Sequence, residues 1–221
     1  SMKLKAILFD FDGTLVNSED FHFQCWNKML SKFNVSLEMD DYLQNNAGIP
    51  TNQNAVFLVK KFNLPITPEA LTEAREAIVQ QQSEIHKPAL MPYGRQIVEH
   101  YFNKGLKLAI VTGSPRKDVN SFFSKVYFEK YFDAVVTRSD VSKSKPNPES
   151  YLLAMKKLGV TASEAIAIED TQNGIASATS AGLTCLAVQK EKILHHKLTK
   201  AHTILEDLRE VKTFIDRHYL V

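Results

Sequence analysis

Leu4-Lys5-Ala6-Ile7-Leu8-Phe9-Asp10-Phe11-Asp12-Gly13-Thr14 is a short apolar run that stops abruptly at two acids, a glycine and a threonine. A run of that length, nearly all aliphatic or aromatic, suits a strand covered on both faces, as in a parallel sheet. Asp10 and Asp12 are two apart, so their side chains share one side while the chain stays extended. Both leave the carboxyl end of the strand, where open α/β sheets place their ligands. Gly13 permits a sharp turn, and Thr14 can hydrogen-bond back to hold it. Taken alone, the stretch also fits an acidic loop that merely caps a strand.

Four similar runs follow, at Leu106–Val111, Ala134–Thr137, Ala165–Ile168 and Leu183–Val188, with a weaker edge candidate at His202–Leu205. Helix-length stretches separate them. Tyr93–Asn103 carries Ile97, Val98, Tyr101 and Phe102 and stops at Gly105. Pro146–Leu158 is expected to open with two prolines in its first turn and to end at Gly159. Asn173–Ala181 is rich in small residues that would let it lie close to the sheet, and Leu208–Tyr219 has helical spacing at Leu208, Val211 and Ile215. Strands alternating with helices imply an α/β sheet with right-handed crossovers.

Residues 18–88 break that rhythm. They read as consecutive helices at about 18–34, 39–46, 51–63 and 68–87, separated by Asn34-Val35, Gly48-Ile49-Pro50 and Asn63-Leu64-Pro65. The expected organisation is a core of residues 1–17 and 89–221, with a helical domain at 18–88 spliced in after the first strand.

Composition is that of an ordinary globular chain: 221 residues, 44% hydrophobic and 24% charged. Twenty-seven Lys+Arg against 25 Asp+Glu leave a formal charge of +2, too small to imply a nucleic-acid or membrane partner. The densest basic stretch, Lys190 to Lys200, is interrupted by Glu191 and has no aromatic residue interleaved for base stacking. Cys25 and Cys185 lack the spacing of a disulfide framework or zinc site, which suits a reducing compartment. No apolar run approaches the ~18 residues of a membrane span. The chain enters its first strand almost at once, which argues against a signal peptide, and Ser1 before Met2 reads as a remnant of tag removal. A cytoplasmic protein is expected, as a monomer or weak dimer.

Other strand ends are decorated too. Val111-Thr112-Gly113-Ser114 offers hydroxyls and glycine-flanked amides suited to phosphate oxygens, although Ser114 could equally be a helix N-cap. Ile168-Glu169-Asp170 adds two acids, which could also cap the helix that follows. Lys143 and Lys145 precede the Pro146 stretch and could be plain surface charge. Together these groups compose a phosphoryl-transfer site. Carboxylates at Asp10, Asp12 and Asp170 suit Mg²⁺, and lysine and hydroxyl donors suit the non-bridging oxygens.

Asp-Phe-Asp-Gly-Thr at 10–14, Val-Thr-Gly-Ser at 111–114, Ser144-Lys145-Pro146 and Ile168-Glu169-Asp170-Thr171-Gln172-Asn173-Gly174 resemble, in order and spacing, the four motifs of the haloacid dehalogenase superfamily. The whole chain is similar to its phosphatase and phosphomutase branch. That resemblance implies a Rossmann-like core with a parallel sheet and an inserted four-helix cap. It implies Asp10 as the nucleophile that becomes an aspartyl-phosphate, and Asp12 as general acid and then base. Mg²⁺ would be held by the carboxylates of Asp10 and Asp170 and the backbone carbonyl of Asp12, with Glu169 nearby or reaching it through water. Thr112, Gly113, Ser114 and Lys145 would cradle the phosphoryl group of a small phosphorylated metabolite.

In the cap, His22 follows the first motif at a spacing common in the branch. The resemblance gives it a part in coupling cap closure to acid/base alignment; otherwise it is a helix-face histidine packing beside Trp26. Gly48 resembles a cap glycine that approaches the substrate. The mutase pattern then places an arginine soon after, whereas this chain reads Ile49-Pro50-Thr51-Asn52-Gln53. Arg75, the one arginine of the insert, could take its place but reads by default as an exposed helix charge. The crossings near 16–18 and 87–92 are the expected hinges. The expected function is hydrolysis of a small phosphomonoester, such as a sugar phosphate. A hexose-phosphate mutase is the alternative, and a non-catalytic binding protein would have no need of the full motif set. True dehalogenation needs neither Asp12 nor Asp170.

Overall fold

The computed structural model describes residues 3–220, so Ser1 and Met2, with the tag-remnant reading, lie outside it. In chain order the elements are β1 (Ala6–Phe9), α1 (Glu19–Leu30), α2 (Met39–Asn45), α3 (Thr51–Phe62), α4 (Pro68–Ser83), α5 (Gly94–Asn103), β2 (Lys107–Val111) and α6 (Arg116–Lys125). There follow β3 (Ala134–Val136), α7 (Glu149–Leu158), β4 (Ala165–Glu169), α8 (Gln172–Ser180), β5 (Thr184–Val188), β6 (Thr203–Leu205) and α9 (Leu208–Tyr219). The chain forms two compact units: residues up to Asn17 with those from Pro88 on, and Ser18–Lys87.

The first unit is a Rossmann-like α/β layer structure. Its six strands run in the order β3-β2-β1-β4-β5-β6, and every neighbouring pair is parallel. The two-residue period sorts the side chains. Ile7, Phe9, Leu108, Ile110, Ile166, Ile168, Leu186 and Val188 face one side, against α5, α6 and α9. Ala6, Leu8, Ala109, Ala165, Ala167 and Ala187 face the other, against α7 and α8. The alanine-rich face leaves room for α7 and α8 to lie close, and α8 contributes Ile175 and Ala178 to that contact.

The helix expected from Pro146 begins instead at Glu149. Pro148 is its N-cap and Pro146 lies in the preceding loop, after a cis Lys145–Pro146 bond. Asn147 explains the start, because its Oδ1 accepts the Glu149 N–H at 3.0 Å and so caps the first turn. Helix α6 has no counterpart in the sequence-based expectations. It buries only Val119 and Phe122 along a mostly polar run, too thin an apolar stripe to register by periodicity.

The second unit holds α1–α4. The predicted helix over 18–34 ends at Leu30, tightens into a 3₁₀ turn over Ser31–Phe33 and stops at Asn34 in the left-handed conformation (φ 59°). The helix predicted to 87 ends at Ser83, because it buries nothing beyond Ile78 that would hold a longer tail. Gly48, at φ 74°, turns the chain between α2 and α3. Asn54 clamps that turn, its Nδ2 donating to the Asn46 carbonyl at 2.9 Å and the Ile49 carbonyl at 3.2 Å.

Candidate active site

Parallel strands deliver their carboxyl ends to one edge of the sheet, and β1 and β4 are neighbours at its centre. Asp10 follows β1, and its N–H donates to the Ile168 carbonyl at 2.9 Å, continuing the ladder one residue beyond the strand. Glu169 ends β4 and Asp170 comes next. One oxygen from each of Asp10, Glu169 and Asp170 lies within 4.8 Å of the others, and all three residues are buried. Chain reversal after β1 makes this approach possible. Gly13 has φ 82°, and a Cβ there would overlap the Asp170 carboxylate. Thr14, fully buried, donates toward Asp10 Oδ2 (3.3 Å) and Asp170 Oδ1 (3.2 Å).

Lys145 reaches in from the loop ahead of α7. Its Nζ donates to Asp10 Oδ1 (2.9 Å), the Val111 carbonyl (2.8 Å) and Glu169 Oε2 (2.6 Å). Burial works against its charge, but Asp10 and Glu169 outweigh that and hold the ammonium well above lysine's ordinary range. Surface charge is thereby excluded as its role. Burial, reinforced by Asp10, pushes the Glu169 carboxyl up, while Lys145 and the Tyr151 hydroxyl pull it back.

Asp12 is directed elsewhere. Its Oδ2 accepts from the Ser114 hydroxyl at 2.6 Å. Ser114 is not the N-cap of α6, a position held by Pro115, so its side chain is available for that contact. Thr112 is buried, and its Oγ1 accepts the Ser114 N–H at 3.0 Å. Nothing occupies the space where a Gly113 side chain would stand. Asp12, Ser114 and Thr112 thus form one hydrogen-bonded group, and Asp10, Lys145, Glu169 and Asp170 another, held by hydrogen bonds and the acid cluster. Tyr151 joins the second group. Its hydroxyl donates to Glu169 Oε2 and its ring lies 5.2 Å from Lys145 Nζ. Sequence periodicity assigns Tyr151 only to the apolar face of α7, since a phenol tip is invisible to an apolar count.

The residues fit a divalent cation. Three carboxyl groups share the space with one ammonium, leaving negative charge for a hard, oxygen-seeking ion to balance. Glu169 Oε1 is buried without a hydrogen-bond partner, an acceptor of the kind such an ion or its water would satisfy.

His22 and Gly48 belong to the Ser18–Lys87 unit. His22 Nδ1 lies 3.2 Å from Arg75 Nη2, and the guanidinium stacks over Trp26 at 4.7 Å. A guanidinium can only donate, so Nδ1 is the acceptor. Arg75 is only 5% exposed, which corrects its default reading as a surface charge. The aromatic face of Trp26, with His22 and Thr51 Oγ1 (3.3 Å), gives its planar head a seat inside the helical unit.

Comparison with known proteins gives a consistent result. The family described as haloacid dehalogenase-like hydrolase matches residues 7–188. A phosphorylated carbohydrates phosphatase from Thermotoga maritima is 25% identical over 182 residues, 81% of this chain and 82% of that one. A validoxylamine A 7′-phosphate phosphatase from Streptomyces hygroscopicus subsp. limoneus is 30% identical over 210 residues, 94% of this chain and 96% of its own. A β-phosphoglucomutase from Clostridium difficile shares the fold, with a TM-score of 0.77 at 19% identity over 98% of this chain and 97% of that one.

Proposed function

This chain belongs to the haloacid dehalogenase-like hydrolases, and from that premise we propose that it is a Mg²⁺-dependent phosphatase hydrolysing a small phosphomonoester through an aspartyl-phosphate on Asp10. The observation that carries the reading is the Asp10 carboxylate, buried beside Glu169 and Asp170 and hydrogen-bonded by Lys145 and Thr14. Lys145 pairs with Asp10 and supplies positive charge where phosphoryl oxygens would collect. A carboxylate oxygen of Asp10 attacks phosphorus as the bond to the leaving oxygen breaks, and Asp12 gives that oxygen its proton. Asp12, now ionised, takes a proton from a water that attacks the phosphoenzyme, releasing phosphate and restoring Asp10. Splitting the displacement in two is the gain from a covalent intermediate. Asp10 and Asp170, with the Asp12 carbonyl and Glu169 behind them, are the residues that would hold Mg²⁺. When bound, the ion offsets the repulsion between these carboxylates and a dianionic phosphate.

The names of the two phosphatase relatives support a phosphorylated carbohydrate as substrate class. A hexose-phosphate mutase would use the same groups but needs a grip on a second phosphate, and Ile49–Gln53 offers no arginine for it. A reducing compartment such as the cytoplasm suits the two buried, unpaired thiols of Cys25 and Cys185, and no helix among the described residues is long and apolar enough to cross a membrane. A panel of phosphorylated metabolites tests the reading. Hydrolysis should be lost in EDTA and restored by Mg²⁺. Full turnover by metal-stripped protein, or bisphosphate-dependent interconversion of hexose 1- and 6-phosphates, would overturn it.

A further inference from the structure

Glu169 is 0% exposed, yet its two oxygens are treated differently. Oε2 accepts from both Lys145 Nζ and the Tyr151 hydroxyl. Oε1 accepts from nothing. Such asymmetry is unexpected in a buried carboxylate, whose oxygens ordinarily share the available donors. It arises because both donors come from one short segment: Lys145 lies just ahead of α7, and Tyr151 is the third residue of that helix.

Tyr151 touches both halves of the ion pair. Its hydroxyl binds the carboxylate, and its ring lies 5.2 Å from the ammonium. Tyr151 is itself fully buried, with Ala154, Met155 and Leu158 in the same core against the alanine face of the sheet. Its position is therefore set by packing and does not depend on the polar groups it contacts. The terminal torsion of a glutamate is broad and close to two-fold. Lys145 alone would leave the carboxylate able to rock about a single contact. A second donor converging on the same oxygen removes that freedom.

We propose that Tyr151 is a positioning residue for the metal site: by holding Glu169 Oε2 it fixes the orientation of the buried carboxylate beside Asp10 and Asp170, and its ring seats Lys145. The inference rests on the Mg²⁺-dependent phosphatase reading, and it names a residue outside the four motifs.

The test is Mg²⁺ binding to EDTA-stripped, substrate-free protein by calorimetry, with thermal melts in EDTA alongside. Tyr151→Phe keeps the ring and volume and removes only the hydroxyl. Its Mg²⁺ affinity should fall by roughly 10–100-fold, the usual effect of losing a partner behind a metal ligand, and its Mg²⁺-induced rise in melting temperature should shrink. Affinity within twofold of wild type overturns the assignment and leaves the phosphatase reading standing. Wild-type protein that binds no Mg²⁺ overturns both. Should Tyr151→Phe alone fail to fold, the pair Glu169→Gln and Glu169→Gln/Tyr151→Phe carries the test, since neither contains the buried charge. The hydroxyl then has no carboxylate to hold, so the two should bind Mg²⁺ equally, and a further loss in the double variant would overturn the proposal.

Discussion

Asp10 and Asp12 are separated by one residue and engaged by different donors. Asp10 is 8% exposed and tied to Lys145 and Thr14, while the more accessible Asp12 accepts from the Ser114 hydroxyl. That difference suits a fixed nucleophile and a proton carrier. Asp10→Asn should abolish turnover and leave no phosphoenzyme. Asp12→Asn should lower turnover by ~10²–10⁴-fold, the usual worth of a positioned acid/base. With an activated aryl phosphate the first step needs little protonation, so phosphoenzyme should accumulate in Asp12→Asn. Mass spectrometry of quenched reactions reads both outcomes, and an Asp10→Asn variant as active as wild type would remove the covalent mechanism.

Helix α8 shows how an element can be shaped by the site it borders. Thr171 caps it, accepting the Gly174 N–H at 3.1 Å. Gly174 then lies in the first turn, where alanine would ordinarily favour the helix by about 1 kcal/mol. Here a Cβ would collide with both oxygens of Glu169. Gly174→Ala should therefore reverse the usual sign and destabilise the fold by ~1–3 kcal/mol, the usual cost of overpacking. Chemical denaturation measures this. A variant more stable than wild type would mean that Glu169 can move aside without cost.

At the scale of the molecule, several carboxylates of the sheet-containing unit ionise more readily than usual. Lys5 and the Thr161 backbone N–H pull Glu164 down to about 2. Burial opposes the Asp216 charge, but the Tyr101 hydroxyl, Lys212 and His100 outweigh it, so its pKa is also lowered. Tyr101 and His100 lie on α5, so Asp216 ties α9 to that helix. A carboxylate with a depressed folded-state pKa contributes stability above its unfolded value of about 4, and the contribution fades as pH falls through the folded value. Urea unfolding at pH 6 and pH 3 should show wild type losing more stability than Asp216→Asn or Glu164→Gln. Parallel losses in all three proteins would show that these groups do not carry the acid sensitivity.

The strand cores, the final helix and most of the acid and lysine candidates were legible because each depends on local spacing. A buried parallel strand needs a short continuous apolar run, and Leu208–Tyr219 needs only a regular stripe. Motif order alone groups Asp10, Asp12, Lys145, Glu169 and Asp170. Local spacing could not show that Tyr151 points its hydroxyl at Glu169, that Ser114 turns to Asp12 instead of capping a helix, or that Arg75 is inside its unit over Trp26. Those facts depend on which side chains meet across 102 residues for Ser114 and Asp12 and 18 for Tyr151 and Glu169. A polar tip on an apolar face has the same periodicity whether it meets water or a buried carboxylate. Only the packing of β1, β4 and α7 into one layered core decides between them.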